Sequence, residues 1–201
     1  MRYRTFHSAL AAGVAVLALP TAGNAHLVTT GLGPLYDGIS HFALTPEDLL
    51  PAIALALLAG LRGPRAGRLV LFVLPGIWFA GGLAGISWPM IGTLAMPTSV
   101  SLIAVGGLVA LDAHLRPPWV ACLALVLGLL HGYLNGTAMS EARLGVLGLA
   151  GIVASLFVFV ALASALVVML RAPWARIVVR VAGSWIAATG LLLLGWSLRA
   201  A

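Results

Sequence analysis

The stretch LGVLGLAGIVASLFVFVALASALVVML, residues 144–170, carries no charged side chain. At about 1.5 Å per residue, a helix of this length exceeds the hydrocarbon core of a bilayer, which is about 30 Å thick. Backbone in lipid must bond to itself, so an uncharged run of this kind reads as a spanning helix. The chain repeats the pattern on both sides. Further apolar runs cover Pro46–Leu61, Leu69–Trp88, Ile91–Asp112, Pro118–Asn135 and Ile177–Leu198. Sustained alternation at period two is absent, which argues against a β-barrel. The expected fold is an all-α membrane protein, a bundle of six transmembrane helices forming one domain over 26–201.

Composition points the same way. Of 201 residues, 62% are hydrophobic and 8% charged, with a mean hydropathy of +1.11. Soluble domains are nearer half apolar and about a quarter charged. The net charge of +6 comes from arginine alone, since the chain has no lysine. In a soluble protein that surplus would suggest nucleic acid. Here the arginines fall in short loops between apolar runs and set orientation instead. Arg62, Arg65, Arg68, Arg116, Arg171, Arg176 and Arg180 lie on one side, against Arg143 and Arg199 on the other. The positive-inside rule puts the first group in the cytoplasm and the mature N-terminus outside. The lone cysteine, Cys122, sits inside an apolar run and reads as a small packed residue.

The first segment has the pattern of a secretory signal peptide over 1–25. Arg2 and Arg4 precede a short apolar run, and the small-x-small ending Gly23-Asn24-Ala25 predicts a cut between Ala25 and His26. Cleavage would make His26 the N-terminal residue. Its α-amino group and imidazole could then chelate a metal, or His26 is merely a tolerated residue after the cut.

Ionisable groups in or beside a span are costly and usually face a partner or a water-filled path. Asp37 and His41, four apart, share a helix face; they suit a divalent transition metal or a simple hydrogen bond holding a short outer helix. The sequence TPED at 45–48 marks a helix start, with Thr45 as N-cap, Pro46 at the first position and Asp48 at the third. Glu47 and Asp48 could therefore serve the helix dipole or attract cations at the mouth of a span. The break before Pro46 separates a short helix from the first span, and interrupted segments of this kind mark binding sites in transporters. His131 falls deep in the fourth span with Asn135 on the same face, and Glu141 lies just beyond. At the cytoplasmic end, Asp112 and His114 are a candidate exit site or an interfacial hydrogen bond. Imidazole with carboxylate suits nickel, cobalt or zinc better than magnesium or calcium. The glycine-rich runs AGGLAG at 80–85 and GVLGLAG at 145–151 read as close helix packing.

Two short motifs carry a family resemblance. GISHFALTPEDLL, 38–50, resembles the first-span motif of the HupE/UreJ family, in which a histidine is followed by Asp-His-Leu-Leu; Gly38, Ile39, His41, Asp48 and Leu50 match. HGYLNGTA, 131–138, resembles that family's fourth-span motif, with His131, Gly132 and Gly136 matching. Three positions depart. Leu49 and Asn135 stand where the family has histidines, and Ala138 stands where it has a glutamate, the nearest acid being Glu141. The resemblance implies a cleaved signal, an N-terminal histidine, six spans and a nickel or cobalt permease. It also implies a site richer in oxygen than the family's, with Asp37 and His26 as candidate substitutes.

The expected function is thus a divalent transition-metal permease of the bacterial inner membrane, taking nickel, cobalt or zinc from the periplasmic side through His26, Asp37, His41, Asp48, His131, Asn135 and Glu141. The alternative is a membrane metal-binding accessory protein, chaperone or sensor that does not transport. No resident cofactor is required. The partners are the ion, the lipid bilayer, and either a second copy or metalloenzyme accessory proteins. An enzyme is disfavoured, because no serine, histidine and acid sit at a recognisable spacing and no HExxH pattern occurs. Protons should compete with the ion for the imidazole.

Overall fold

A computed structural model of the protein describes residues 29–89, 95–170 and 172–200. The signal segment, its cut and His26 lie outside the described residues. Seven helices are described: α1 (Pro34–Leu44), α2 (Pro46–Leu61), α3 (Pro64–Ser87), α4 (Ala95–Ala110), α5 (Pro117–Glu141), α6 (Gly145–Met169) and α7 (Pro173–Ala200). No strand occurs among the described residues. Helices α3, α5, α6 and α7 are each long and apolar enough to cross a membrane. The pair α1 and α2, bent by 72°, can count as one more span, and α4 is a shorter apolar helix. Large apolar side chains point outward, among them Leu162, Leu166, Trp185, Leu192 and Trp196, as on a surface that meets lipid.

The ends of the helices differ from the sequence reading in ways that proline and glycine explain. Helix α3 begins at Pro64 rather than Leu69. Proline is well placed at a first position, where no N–H is needed, so the arginine-bearing turn is helical. Helix α5 runs on past Asn135 to Glu141. That puts Glu141 on the last turn of the helix.

The break between α1 and α2 falls where expected. Pro46 forces the preceding residue out of the helical region, and Thr45 is extended, with φ −102° and ψ 97°. Thr45 occupies the N-cap position, but its hydroxyl does not cap α2. It donates to the His41 carbonyl at 2.6 Å and so satisfies the end of α1 instead. Within α2, Pro51 has no N–H to give the Glu47 carbonyl, which frees an acceptor beside the start of the helix.

One of the short apolar helices, α2, lies innermost. Helix α2 packs against each of the other six helices, and Ala54, Leu55, Ala56, Leu58 and Ala59 are completely buried. A helix enclosed by protein does not itself have to match the bilayer thickness. Around it, α3 pairs with α5, α4 with α7 and α1 with α6. Each pair meets through glycine. A side-chain carbon at Gly132 of α5 would overlap the Trp78 carbonyl of α3, and one at Gly136 would overlap the Gly82 carbonyl. Gly38 and Gly151 likewise bring α1 against α6, while Gly106 and Gly183 bring α4 against α7. The glycine-rich runs act as close packing surfaces, as the sequence suggests.

At the far end of α2 three elements are tied by charge. Arg62, the C-cap of α2, donates to one oxygen of Asp112. Arg176 of α7 donates to the other at 2.8 Å. Asp112 itself ends α4 in the left-handed region, with φ 50°, a conformation that aspartate tolerates better than most residues. Its N–H bonds the Val109 carbonyl and that of Ala113 bonds Leu108, closing the helix end. Arg180 adds a bond to the Ala110 carbonyl at 2.8 Å.

Burial opposes ionisation of Asp112. The Arg176 hydrogen bond and the charges of Arg62, Arg176 and His114 outweigh it and hold the carboxyl below its ordinary value. The stability that this clamp contributes is therefore complete above the unfolded value, about 3.9, and is lost as pH falls through the lower folded value. Thermal unfolding of the wild type and of Asp112→Asn in detergent should show a constant gap from neutral pH down to about 5 that closes only below about 4. A gap that already closes near neutral pH would count against this account.

Candidate functional site

The one strongly polar cluster described in the interior is assembled by three helices around the start of α2. Asp48 follows the α1–α2 break and is 5% exposed. Its Oδ1 lies 2.9 Å from Nδ1 of His131, and its Oδ2 accepts from Nδ2 of Asn135 at 2.7 Å. His131 and Asn135 are one turn apart on α5, so both reach the same carboxylate. The carboxylate of Asp48 is thus spent on α5 and not on capping α2. Its place in the first turn still sets negative charge at the positive end of the helix dipole. Across the ring, Nε2 of His131 lies 3.0 Å from the Ser101 hydroxyl of α4.

The imidazole is fixed in plane as well as at both nitrogens. Trp78 of α3 stacks on it with centroids 5.4 Å apart and planes 23° from parallel. Phe42 of α1 in turn meets Trp78 edge-on at 5.8 Å. His131 has no exposed surface. Two buried polar atoms here have no hydrogen-bond partner, Oδ1 of Asn135 and Nε1 of Trp78. Such atoms are uncommon in native interiors and call for an explanation.

The remaining expected ligands are dispersed. Asp37 is buried, but its Oδ1 accepts from both the backbone N–H and the hydroxyl of Thr30 at 2.6 Å, which secures the segment leading into α1. His41, half-buried on the last turn of α1, feels the charge of Asp48 across the break. Glu141 is exposed at the end of α5, about 15 Å along the helix from His131 at roughly 1.5 Å per residue. Asp112 is held by two guanidiniums, and His114 is exposed. Among the described residues, no three His, Cys, Asp or Glu side chains converge as a metal cage. The cluster instead joins one carboxylate and one imidazole to a side-chain amide and a hydroxyl.

Sequence reasoning missed Trp78 and Ser101. Trp78 sits in an apolar run with nothing in the sequence to set it apart. Ser101 belongs to the polar run Thr98-Ser99-Val100-Ser101 inside an otherwise apolar segment, and that run was the available signal. Ser101, His131 and Asp48 also line up in space, although their spacing in the sequence suggested nothing.

The fold and this cluster define a helical membrane protein with a buried acid–imidazole centre. The HupE / UreJ protein family matches residues 14–193, and the chain belongs to that family. It is also 27% identical over 191 residues to Protein HupE of Rhizobium leguminosarum bv. viciae, covering 94% of this chain and 98% of that protein. Neither match is to a catalytic family. No solved structure matches.

Proposed function

We propose that this protein is a divalent transition-metal permease of the nickel or cobalt type, which takes its ion from the periplasmic side of the bacterial inner membrane. The observation that carries the reading is the buried Asp48–His131 pair with the unpartnered Asn135 oxygen beside it. Imidazole, carboxylate and amide oxygen form a donor set for a borderline divalent cation. The 2.9 Å between Nδ1 and Oδ1 is also the spacing of two ligands at right angles around a first-row ion with bonds of about 2.05 Å. The hydrogen between those atoms can therefore give way to an ion with little movement of either residue. His41 and Glu47, at the α1–α2 break, supply an imidazole and a carboxylate on the approach. Six spans, with α2 and α4 as the short ones, an outward mature N-terminus and signal cleavage before His26 complete the reading. A resemblance to nickel and cobalt permeases, carried by His41, Asp48, His131 and their neighbouring glycines, supports the choice of ion.

A second reading, a metal-binding accessory protein or sensor without transport, draws on one fact: His131 is completely enclosed. Reconstituted vesicles separate the two. The permease reading expects saturable nickel or cobalt accumulation inside vesicles, weaker in acid and reduced to background by His131→Ala. Binding without accumulation would leave the second reading, and undiminished uptake by His131→Ala would sink the site.

A further inference from the structure

Helices α3 and α6 leave a groove between them at the arginine-rich end of the bundle. It holds about 290 Å³, and its walls include Gly67, Arg68 and Leu71 of α3 and Ala161, Ser164 and Ala165 of α6. The groove exists because most of these side chains are small. Ser164 also turns its hydroxyl back to the Ala161 carbonyl of its own helix, so it presents little polarity. A side-chain carbon at Gly67 would meet Ser164 only at 3.7 Å, so the two backbones stand apart here, unlike those at Gly132. Pro64 and Val168 line both this groove and a second cavity of about 190 Å³, which reaches Arg176. The two cavities therefore adjoin, one apolar along α3 and α6, the other cationic where α3 begins.

Charge at this end is unbalanced. Among the described residues, Arg62, Arg65, Arg68, Arg116, Arg176 and Arg180 face a single carboxylate, Asp112, whose two oxygens are taken by Arg62 and Arg176. Arg68 is exposed and has no hydrogen bond or ion pair among the described residues. The start of α3 adds the positive end of its dipole, with no side chain capping it. An anion is wanted here, and an apolar chain is wanted in the groove that leads away from it. Phospholipids with a negative headgroup carry both, and basic pockets between membrane helices bind such headgroups.

We infer that this groove seats one anionic phospholipid, with an acyl chain along Gly67, Leu71, Ala161 and Ala165 and its phosphate against Arg68 and Arg176. An arginine lays its carbon stem on an apolar wall and keeps its head at the interface, which suits Arg68 to this place. The phosphate gives selectivity for anionic over zwitterionic lipid. The chain supplies contacts that the groove walls otherwise lack. Gly60 and Leu61, at the end of α2, line the adjoining cavity, so the lipid would join the innermost helix to α3, α6 and α7. The inference rests on the membrane location of the chain and not on the metal site.

The full-length protein in detergent is titrated with phosphatidylglycerol and with phosphatidylcholine of the same chains, and bound lipid is counted by native mass spectrometry. The wild type should hold one phosphatidylglycerol at least about fivefold more tightly than phosphatidylcholine, the worth of one basic side chain at a lipid surface. Arg68→Gln should lose most of that preference, and Arg68→Lys should keep it. Ala165→Phe fills the groove and should weaken phosphatidylglycerol binding at least about tenfold. Leu162→Phe, equally exposed on α6 but outside the groove, should leave binding unchanged. Equal affinity of the wild type for the two lipids would overturn the inference, as would unchanged binding in Ala165→Phe. Displacement of the lipid by an equal concentration of glycerol phosphate would reduce the site to one for a plain anion. A wild-type dimer that Ala165→Phe breaks would give the groove to a second copy of the chain. Either result would also overturn the proposal, and none of these outcomes depends on whether metal binds.

Discussion

Asp48→Ala is expected to abolish metal uptake and to weaken the fold, whereas Asp48→Asn is expected to abolish uptake alone. The difference follows from what the carboxylate touches. It meets Nδ1 of His131 and Nδ2 of Asn135, both deep in the protein. Alanine leaves two buried polar groups without partners, at about 1–3 kcal/mol each. Asparagine keeps the volume and one acceptor oxygen, so much of that cost is avoided. Neither variant retains the negative charge that a dication needs. Loss of an outer partner of a metal ligand costs about 10–100-fold in affinity, so loss of a direct ligand should exceed that. The measurements are nickel titration and thermal unfolding of both variants in detergent. Wild-type nickel affinity in Asp48→Asn would show that the carboxylate is not a donor.

The second large effect is structural. Gly132→Ala should prevent α3 and α5 from meeting as they do, because the added methyl would occupy the place of the Trp78 carbonyl. Backbone cannot swing aside as a flexible side chain can, and overpacking of this kind costs about 1–3 kcal/mol or more. The damage also lands on the site, since Gly132 follows His131 and Trp78 stacks on it. Gly107→Ala is the matched comparison: nothing lies within 4 Å of the added carbon. There the gain in helix propensity, about 0.5–1 kcal/mol, should leave the protein as stable as the wild type or slightly more so. Thermal midpoints and yield of monodisperse protein report both. Equal behaviour of the two variants would remove glycine packing as the basis of the α3–α5 contact.

Much of the fold was legible because lipid imposes so simple a rule. Uncharged runs became helices, and Pro46 marked where one of them begins, whereas the start of α3 at Pro64 was not read. The short outer helix, α1, was visible from the break before Pro46, but its burial against α6 was not, since that depends on Gly38 meeting Gly148 across more than a hundred residues of sequence. The site was half legible. His131 and Asp48 stood out because a charge or an imidazole in an apolar run has to be explained. Asp37 stood out equally, yet its partner proved to be Thr30, a local contact that helical spacing could not reveal. Ser101 escaped because hydroxyls are common in membrane helices, and only its distance to Nε2 gives it significance.

One property of α2 bears on how a carboxylate can reside in such an interior. The helix packs against all six of the other described helices, and its middle turns are fully buried. Its peptide dipoles place about half a positive charge at the start and half a negative charge at the finish. Asp48 sits at the first and Arg62 at the second. The element is therefore electrically closed: each terminus meets a side chain of the opposite sign, and each of those side chains is shared with a neighbouring helix. An insertion or deletion of a residue within α2 would rotate one end by about 100° against the other, parting either Asp48 from α5 or Arg62 from Asp112. The length of this helix is accordingly as much a determinant of the site as any residue lining it.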